Sequence, residues 1–222
     1  AEEFRQAVNG IIISKSVFVQ CECEPAQALQ EVEFVTKISQ DLTNIKGIVA
    51  YAPVEKGFEI TNDLELLMEF PLVKGVRRMF GSASDFTQDV IDGIRLLADY
   101  NLSYDICIKH HQLPENIEMV AQCPDTKFML DHMGKPDIKN REIIEWEKNI
   151  QKLAKYPNVF CKVSGLLTEA DTESWTKEDL KHYFDVVLKY FGSKRLLYGG
   201  DWPVVLLASE YHQWYETFQW LI

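Results

Sequence analysis

Basic clusters, long apolar runs and glycine-rich turns are all scarce in this sequence, and each scarcity removes a class of function. Lys and Arg total 23 against 34 Asp and Glu, a formal net charge of −11, and the cations are scattered rather than gathered into a stripe. Nucleic acid needs a basic footprint and an anionic bilayer needs a polybasic face, so neither partner is expected. No apolar run reaches the roughly 18–20 residues that cross a bilayer. The opening Ala-Glu-Glu-Phe-Arg-Gln is polar and unlike a secretory leader. A cytoplasmic location is the resulting expectation. No G-x-G-x-x-G turn follows a strand candidate, which counts against dinucleotide binding, and Ser164 lacks the G-x-S-x-G setting of a nucleophilic serine. Linkers, repeats and low-complexity tracts are also missing, so residues 1–222 read as one domain. The five cysteines are odd in number and mostly lie in apolar runs, which predicts free, buried thiols. Cys21-Glu-Cys23 has no second cysteine pair and is a weak metal signal.

What is present is alternation. Short β-branched runs at 16–20, 45–51, 73–78, 104–109, 127–131, 159–164 and 195–199 read as buried parallel strands. Helical periodicity fills 26–39 (Leu29, Val32, Val35, Ile38) and 85–100 (Val90, Ile94, Leu97). It recurs over 142–155 (Trp146, Ile150, Leu153) and 177–190 (Leu180, Tyr183, Phe184, Val187, Leu188). Thr176 followed by Asp179 is close to a capping box. The strand-to-strand period of roughly 25–35 residues suits a TIM barrel, with a doubly wound sheet as the structural rival. Seven strands are visible, so an eighth is expected upstream of Ala1, and the segment 208–222 reads as the start of a final helix. Its aromatics (Tyr211, Trp214, Tyr215, Phe218, Trp220) are expected to be exposed, as a homo-oligomer interface or as a helix lacking its cover.

Barrel chemistry sits at the carboxyl ends of the strands. The polar residues there are Gln20 and Glu22, Arg77 and Arg78, Lys109, His110 and His111, Asp131 and His132, Lys162 and Ser164, and Asp201 and Trp202. Three of the five histidines fall at such ends, whereas His182 and His212 lie on helices and are expected to face solvent. Asp201 follows Gly199-Gly200 and precedes Pro203, a setting for a fixed general base; the competing reading is a helix cap. The arginines suit an anionic or hydroxyl-rich substrate or a developing oxyanion, and alternation turns only one of them inward. Trp175, Trp202 and Trp214 suit a sugar face or plain core packing.

The runs Phe18-Val-Gln-Cys-Glu, Gly75-Val-Arg-Arg, Leu130-Asp-His-Met-Gly-Lys-Pro136, Lys162-Val-Ser-Gly165 and Tyr198-Gly-Gly-Asp-Trp-Pro203 carry a resemblance over nearly the whole chain. They resemble the amidohydrolase-related (β/α)8 family that includes L-fuconolactonase- and L-rhamnonolactonase-like enzymes. The resemblance implies a hydrolase that opens a sugar-acid lactone with activated water. It implies Asp201, His132 and His110 as catalytic residues. Arg77, Arg78, Gln20, Glu22, Lys109, His111 and Trp202 are the candidates for substrate binding. A divalent metal, zinc, would be held by Asp201, His132 and His110; a lactone needs less electrophilic help than an amide, so metal-independent hydrolysis stays open beside it. The family's H-x-H motif is absent from this sequence, in keeping with a strand upstream of Ala1. Other lactonases such as those for pyrone dicarboxylates, metal-dependent decarboxylases and a non-catalytic ligand-binding barrel are the alternatives.

Overall fold

In the computed structural model, residues 2–81 and 85–222 are described. Among the described residues seven strands alternate with helices, an α/β fold with parallel strand pairing, as the sequence pattern requires. The strands are β1 (Ser16–Val19), β2 (Ile45–Ala50), β3 (Val73–Arg77), β4 (Ser103–Ile106), β5 (Lys127–Leu130), β6 (Val159–Val163) and β7 (Leu196–Tyr198). The helices are α1 (Glu2–Ala7), α2 (Ala28–Ile38), α3 (Thr61–Met68), α4 (Gln88–Leu96), α5 (Leu113–Gln122), α6 (Ile144–Leu153), α7 (Leu166–Glu169), α8 (Lys177–Phe191) and α9 (Tyr211–Leu221). The chain gathers into two compact units, one of Ile12–Ile106 with Glu118–Phe128 and one of Glu2–Ile11, Cys107–Ile117 and Met129–Ile222.

In the first unit β1 to β4 pair in chain order, all parallel, with Phe18 opposite Ile48, Val49 opposite Gly75 and Val76 opposite Tyr104. Parallel neighbours need a crossover, and the helices between successive strands supply it. Ile48, Ala50, Val76 and Ile106 are buried on the strands, with Val32, Leu64 and Ile94 buried on α2, α3 and α4. Each fully buried aliphatic side chain of this kind contributes roughly 1.5–3 kcal/mol. Thr87 starts α4 by accepting a hydrogen bond from the Val90 amide, so the helix begins three residues later than its periodicity suggests.

In the second unit β6 and β7 pair in parallel, Lys162 opposite Leu197. The capping box of α8 is complete: the Thr176 hydroxyl accepts from the Asp179 amide at 3.3 Å, and the Asp179 carboxylate accepts from the Thr176 amide at 2.9 Å. Leu188, expected on the apolar stripe, is instead 39% exposed. The stripe of α8 is Leu180, Tyr183, Phe184, Val187 and Phe191, and Leu188 lies past its edge. Arg195 spreads its guanidinium over the carbonyls of Ala154, Tyr156 and Val159 at 2.9–3.1 Å, taking up acceptors left open after α6. The expected exposure of the closing aromatics needs correction. Tyr211 and Trp214 are buried, because Trp214 Nε1 donates to the Gly199 carbonyl at 2.8 Å and the Tyr211 ring stands where a Gly200 side chain would be. Trp220 keeps 42% of its surface.

All five cysteines are free thiols; Cys107, Cys123 and Cys161 are buried, whereas Cys21 is exposed. Among the described residues no helix is long and apolar enough to cross a membrane.

Candidate active site

The turn that follows β5 carries an uncommon backbone. His132, Met133, Gly134 and Lys135 are consecutive left-handed residues, with φ of 53°, 54°, 72° and 45°. Side chains other than glycine adopt this region at a cost of order 1–3 kcal/mol each, and such strain gathers at functional sites. Buried contacts hold it here. Trp146 Nε1 donates to the Met133 carbonyl at 2.8 Å, and the Lys135 amide donates to the His132 carbonyl at 2.9 Å. The result aims the His132 imidazole at the residues that end β6 and β7. Its Nδ1 shares a 2.8 Å hydrogen bond with Ser164 Oγ and lies 3.8 Å from Asp201 Oδ2. Gly165 makes this approach possible: it sits at φ 65°, and a Cβ there would fall 2.8 Å from His132 Nδ1.

Only 14% of the His132 side chain and 13% of the Asp201 side chain reach solvent. Burial pushes the imidazole below its ordinary value of 6.5, outweighing the opposing pull of Asp201 and Asp131. A neutral ring beside an acidic neighbour can accept or relay a proton near neutral pH. Asp201 itself is left-handed, at φ 52°. It is fixed from both sides: the Gly199 amide donates to the Val163 carbonyl at 3.0 Å, and the Val205 amide donates to the Asp201 carbonyl at 2.8 Å. Next to it, the Trp202 ring packs edge-on against Phe4 of α1 at 5.3 Å. The Trp202 Nε1 atom is a buried donor with no acceptor among the described residues.

Below this pair lies a second layer that the strand-end reading did not resolve into contacts. Lys162 Nζ is 2.7 Å from Asp131 Oδ1, an ion pair with only 2% of the Asp131 side chain exposed. Cys107, Asp131 and His132 each bring one ligand atom to within 4.8 Å of the other two. Thiol, carboxylate and imidazole are all ordinary zinc donors, and Cys107 and Asp131 are buried while His132 is partly exposed. The donor set therefore fits a divalent ion. The sequence showed Lys162 and Asp131 only as separate polar residues at the ends of apolar runs. Cys107 gave no signal, because a thiol in an apolar run looks like core.

Of the expected metal set of Asp201, His132 and His110, the first two lie together, 3.8 Å apart. His110 belongs to a different cluster, with Asp137 and Glu142. The His110-His111-Gln112 turn after β4 draws it aside, its amide and its Nδ1 both bonding the Lys135 carbonyl. His111 is exposed and meets His110 edge-on at 5.5 Å. Lys109 is also exposed, its amide donating to Gln112 Oε1 at 3.0 Å.

The first unit holds the other expected substrate residues. Gln20 is 1% exposed. Its Nε2 donates to Glu22 Oε1 at 2.6 Å, and its own carbonyl accepts from Arg77 Nη2 at 2.6 Å. The two arginines diverge. Arg78 Nε bonds the Glu55 carboxylate at 3.1 Å, and its guanidinium lies over the Tyr51 and Phe80 rings at 5.6 and 5.2 Å.

Parallel strand pairing with helices between the strands defines the class as an α/β protein. Within that class the chain belongs to the amidohydrolase family, whose model matches residues 16–221. It is 35% identical over 145 residues to an L-fucono-1,5-lactonase of Burkholderia multivorans, a match covering 61% of this chain and 48% of that protein. An L-fucono-1,5-lactonase of Burkholderia ambifaria is 26% identical over 197 residues, covering 86% of this chain and 67% of its own. The chain thus spans about half the length of the first of these relatives. A crystal structure of a Burkholderia multivorans amidohydrolase with bound zinc is similar at a TM-score of 0.87 and 25% identity, over 99% of this chain and 79% of that one.

Proposed function

We propose that this chain belongs to a (β/α)8-barrel lactonase that opens a sugar-acid lactone of the L-fuconolactone or L-rhamnonolactone type. The observation that carries the reading is the buried Asp201–His132 pair beyond the strand ends, 3.8 Å apart. The lactonase names of the two Burkholderia relatives support the substrate class.

In the proposed reaction the Asp201 carboxylate takes a proton from water. The water oxygen bonds to the lactone carbonyl carbon, and the ring carbon–oxygen bond then breaks. The proton passes to the departing ring oxygen, giving a hydroxy acid. His132, kept neutral by burial, holds Asp201 and Ser164 in register and, when it holds no ion, is placed to relay that proton. The Trp202 Nε1 donor suits a sugar hydroxyl. Cys107, Asp131 and His132 would hold a divalent ion, and such an ion supplies Lewis-acid polarisation of the carbonyl when bound. Gln20, Glu22 and Arg77 form a polar cluster of the first unit whose donors and acceptors match sugar hydroxyls. A cytoplasmic setting and a free small-molecule substrate complete the proposal.

A pH-indicator assay against L- and D-sugar lactones, with and without chelator, tests it. Acid release from one lactone is expected, reduced by chelation if the ion takes part. A folded protein silent across the panel overturns the lactonase reading.

A further inference from the structure

Beyond β4 and the left-handed turn lies a second group of metal-type donors that the proposed reaction does not use. His110, Asp137 and Glu142 each bring one ligand atom to within 4.8 Å of the other two. His110 opens the 3₁₀ turn His110–Gln112. Asp137 and Glu142 face each other across a tight antiparallel bridge. The Glu142 amide donates to the Asp137 carbonyl at 3.0 Å, and the Arg141 amide to the Ile138 carbonyl at 3.0 Å. Asn140 donates to Asp137 through its amide at 3.1 Å and its Nδ2 at 2.9 Å. The loop therefore fixes both acidic positions before any ligand arrives.

The imidazole is fixed as well, and in a way that points to a cation. His110 Nδ1 lies 3.2 Å from the Lys135 carbonyl. A carbonyl oxygen only accepts, so Nδ1 must carry the ring proton. The lone pair of the neutral ring is then on Nε2, which is 4.0 Å from Glu142 Oε2. A histidine whose far nitrogen is pinned by a backbone carbonyl is the usual second-layer support of a metal ligand. Arg141, next to Glu142 in the chain, pairs with a residue outside the group: its Nη2 is 3.4 Å from Asp179 Oδ1. A cleft of 330 Å³ is bordered by His110 and Glu142, with Trp146 among its other walls. The Glu142 side chain is 69% exposed, so closing the last distance to a metal bond costs little more than one surface rotamer.

We propose that His110, Asp137 and Glu142 form a divalent transition-metal site, of zinc type by its nitrogen and oxygen donors, separate in its ligands from Cys107, Asp131 and His132. The full chain, stripped by chelator and dialysed against zinc, should take up one more ion per chain than Glu142→Gln or His110→Gln. Cys107→Ser should retain that ion. Zinc should also raise the melting temperature of the parent more than that of Glu142→Gln. Glu142 is exposed, so its variant is expected to match the metal-free parent in circular dichroism. Equal zinc uptake by the parent and both ligand variants overturns the proposal.

Discussion

At the scale of single residues the account turns on how little room His132 has. Gly165 stands against the imidazole in a left-handed conformation, and its missing Cβ would lie 2.8 Å from Nδ1. Alanine there pays about 1–2 kcal/mol for the backbone conformation and must also push the ring away from Ser164 and Asp201. Gly165→Ala is therefore expected to lower both the melting temperature and the turnover of whichever lactone the parent accepts. Unchanged turnover in a destabilised variant would separate His132 placement from catalysis. The residue scale is also where the sequence was least complete. His132 and Asp201 were legible because each ends an apolar run. His110 was legible as a strand-end histidine, but its partners were not, since Asp137 and Glu142 lie in a loop whose fold-back depends on Asp137–Asn140 contacts. Arg77 and Arg78 looked alike in sequence; only the neighbourhood of Glu55, Tyr51 and Phe80 separates them.

At the scale of elements, periodicity and capping located most of what is there. The strands begin and end within one residue of the runs that announced them, except β4, which stops three residues early. The helix α8 starts where its capping box says it should. Thr176→Ala removes the hydroxyl that receives the Asp179 amide and is expected to cost about 1 kcal/mol at neutral pH. The pH dependence has a definite sign. The Thr176 hydrogen bonds hold Asp179 below its ordinary carboxyl value of 3.8. That stabilisation is fully present above 3.8 and is lost as pH falls through the lower, folded value. Urea unfolding should show the gap between parent and Thr176→Ala narrowing from neutral pH to about pH 3. A gap that widens on acidification would mean that Asp179 is not the partner that matters. The helices α3 and α5 escaped the periodic reading. The first is eight residues long and buries only Leu64 and Leu67, and the second opens on Leu113-Pro114, where the periodic signal is interrupted.

At the scale of the whole molecule, alternation of short strands and amphipathic helices was enough to define an α/β fold, because the two periods of 2 and 3.6 are hard to confuse over many repeats. Site chemistry was harder to read, for a physical reason. Strand order brings residues together that are far apart in sequence, and the buried ion pair of Lys162 with Asp131 or the thiol of Cys107 beside His132 has no local pattern. The closing aromatics show the same limit. Tyr211 and Trp214 look like surface in sequence, yet they are the packing that fixes Gly199 and Gly200 ahead of Asp201.

The most direct measurement is turnover of an accepted sugar lactone by the parent and by Asp201→Asn, with circular dichroism to show that both are folded. The account predicts a loss of at least ~10²-fold in kcat for the variant, as expected when a general base is removed. Near-parent turnover by folded Asp201→Asn would contradict the role given to Asp201, and with it the water-activating pair at the centre of the proposed site.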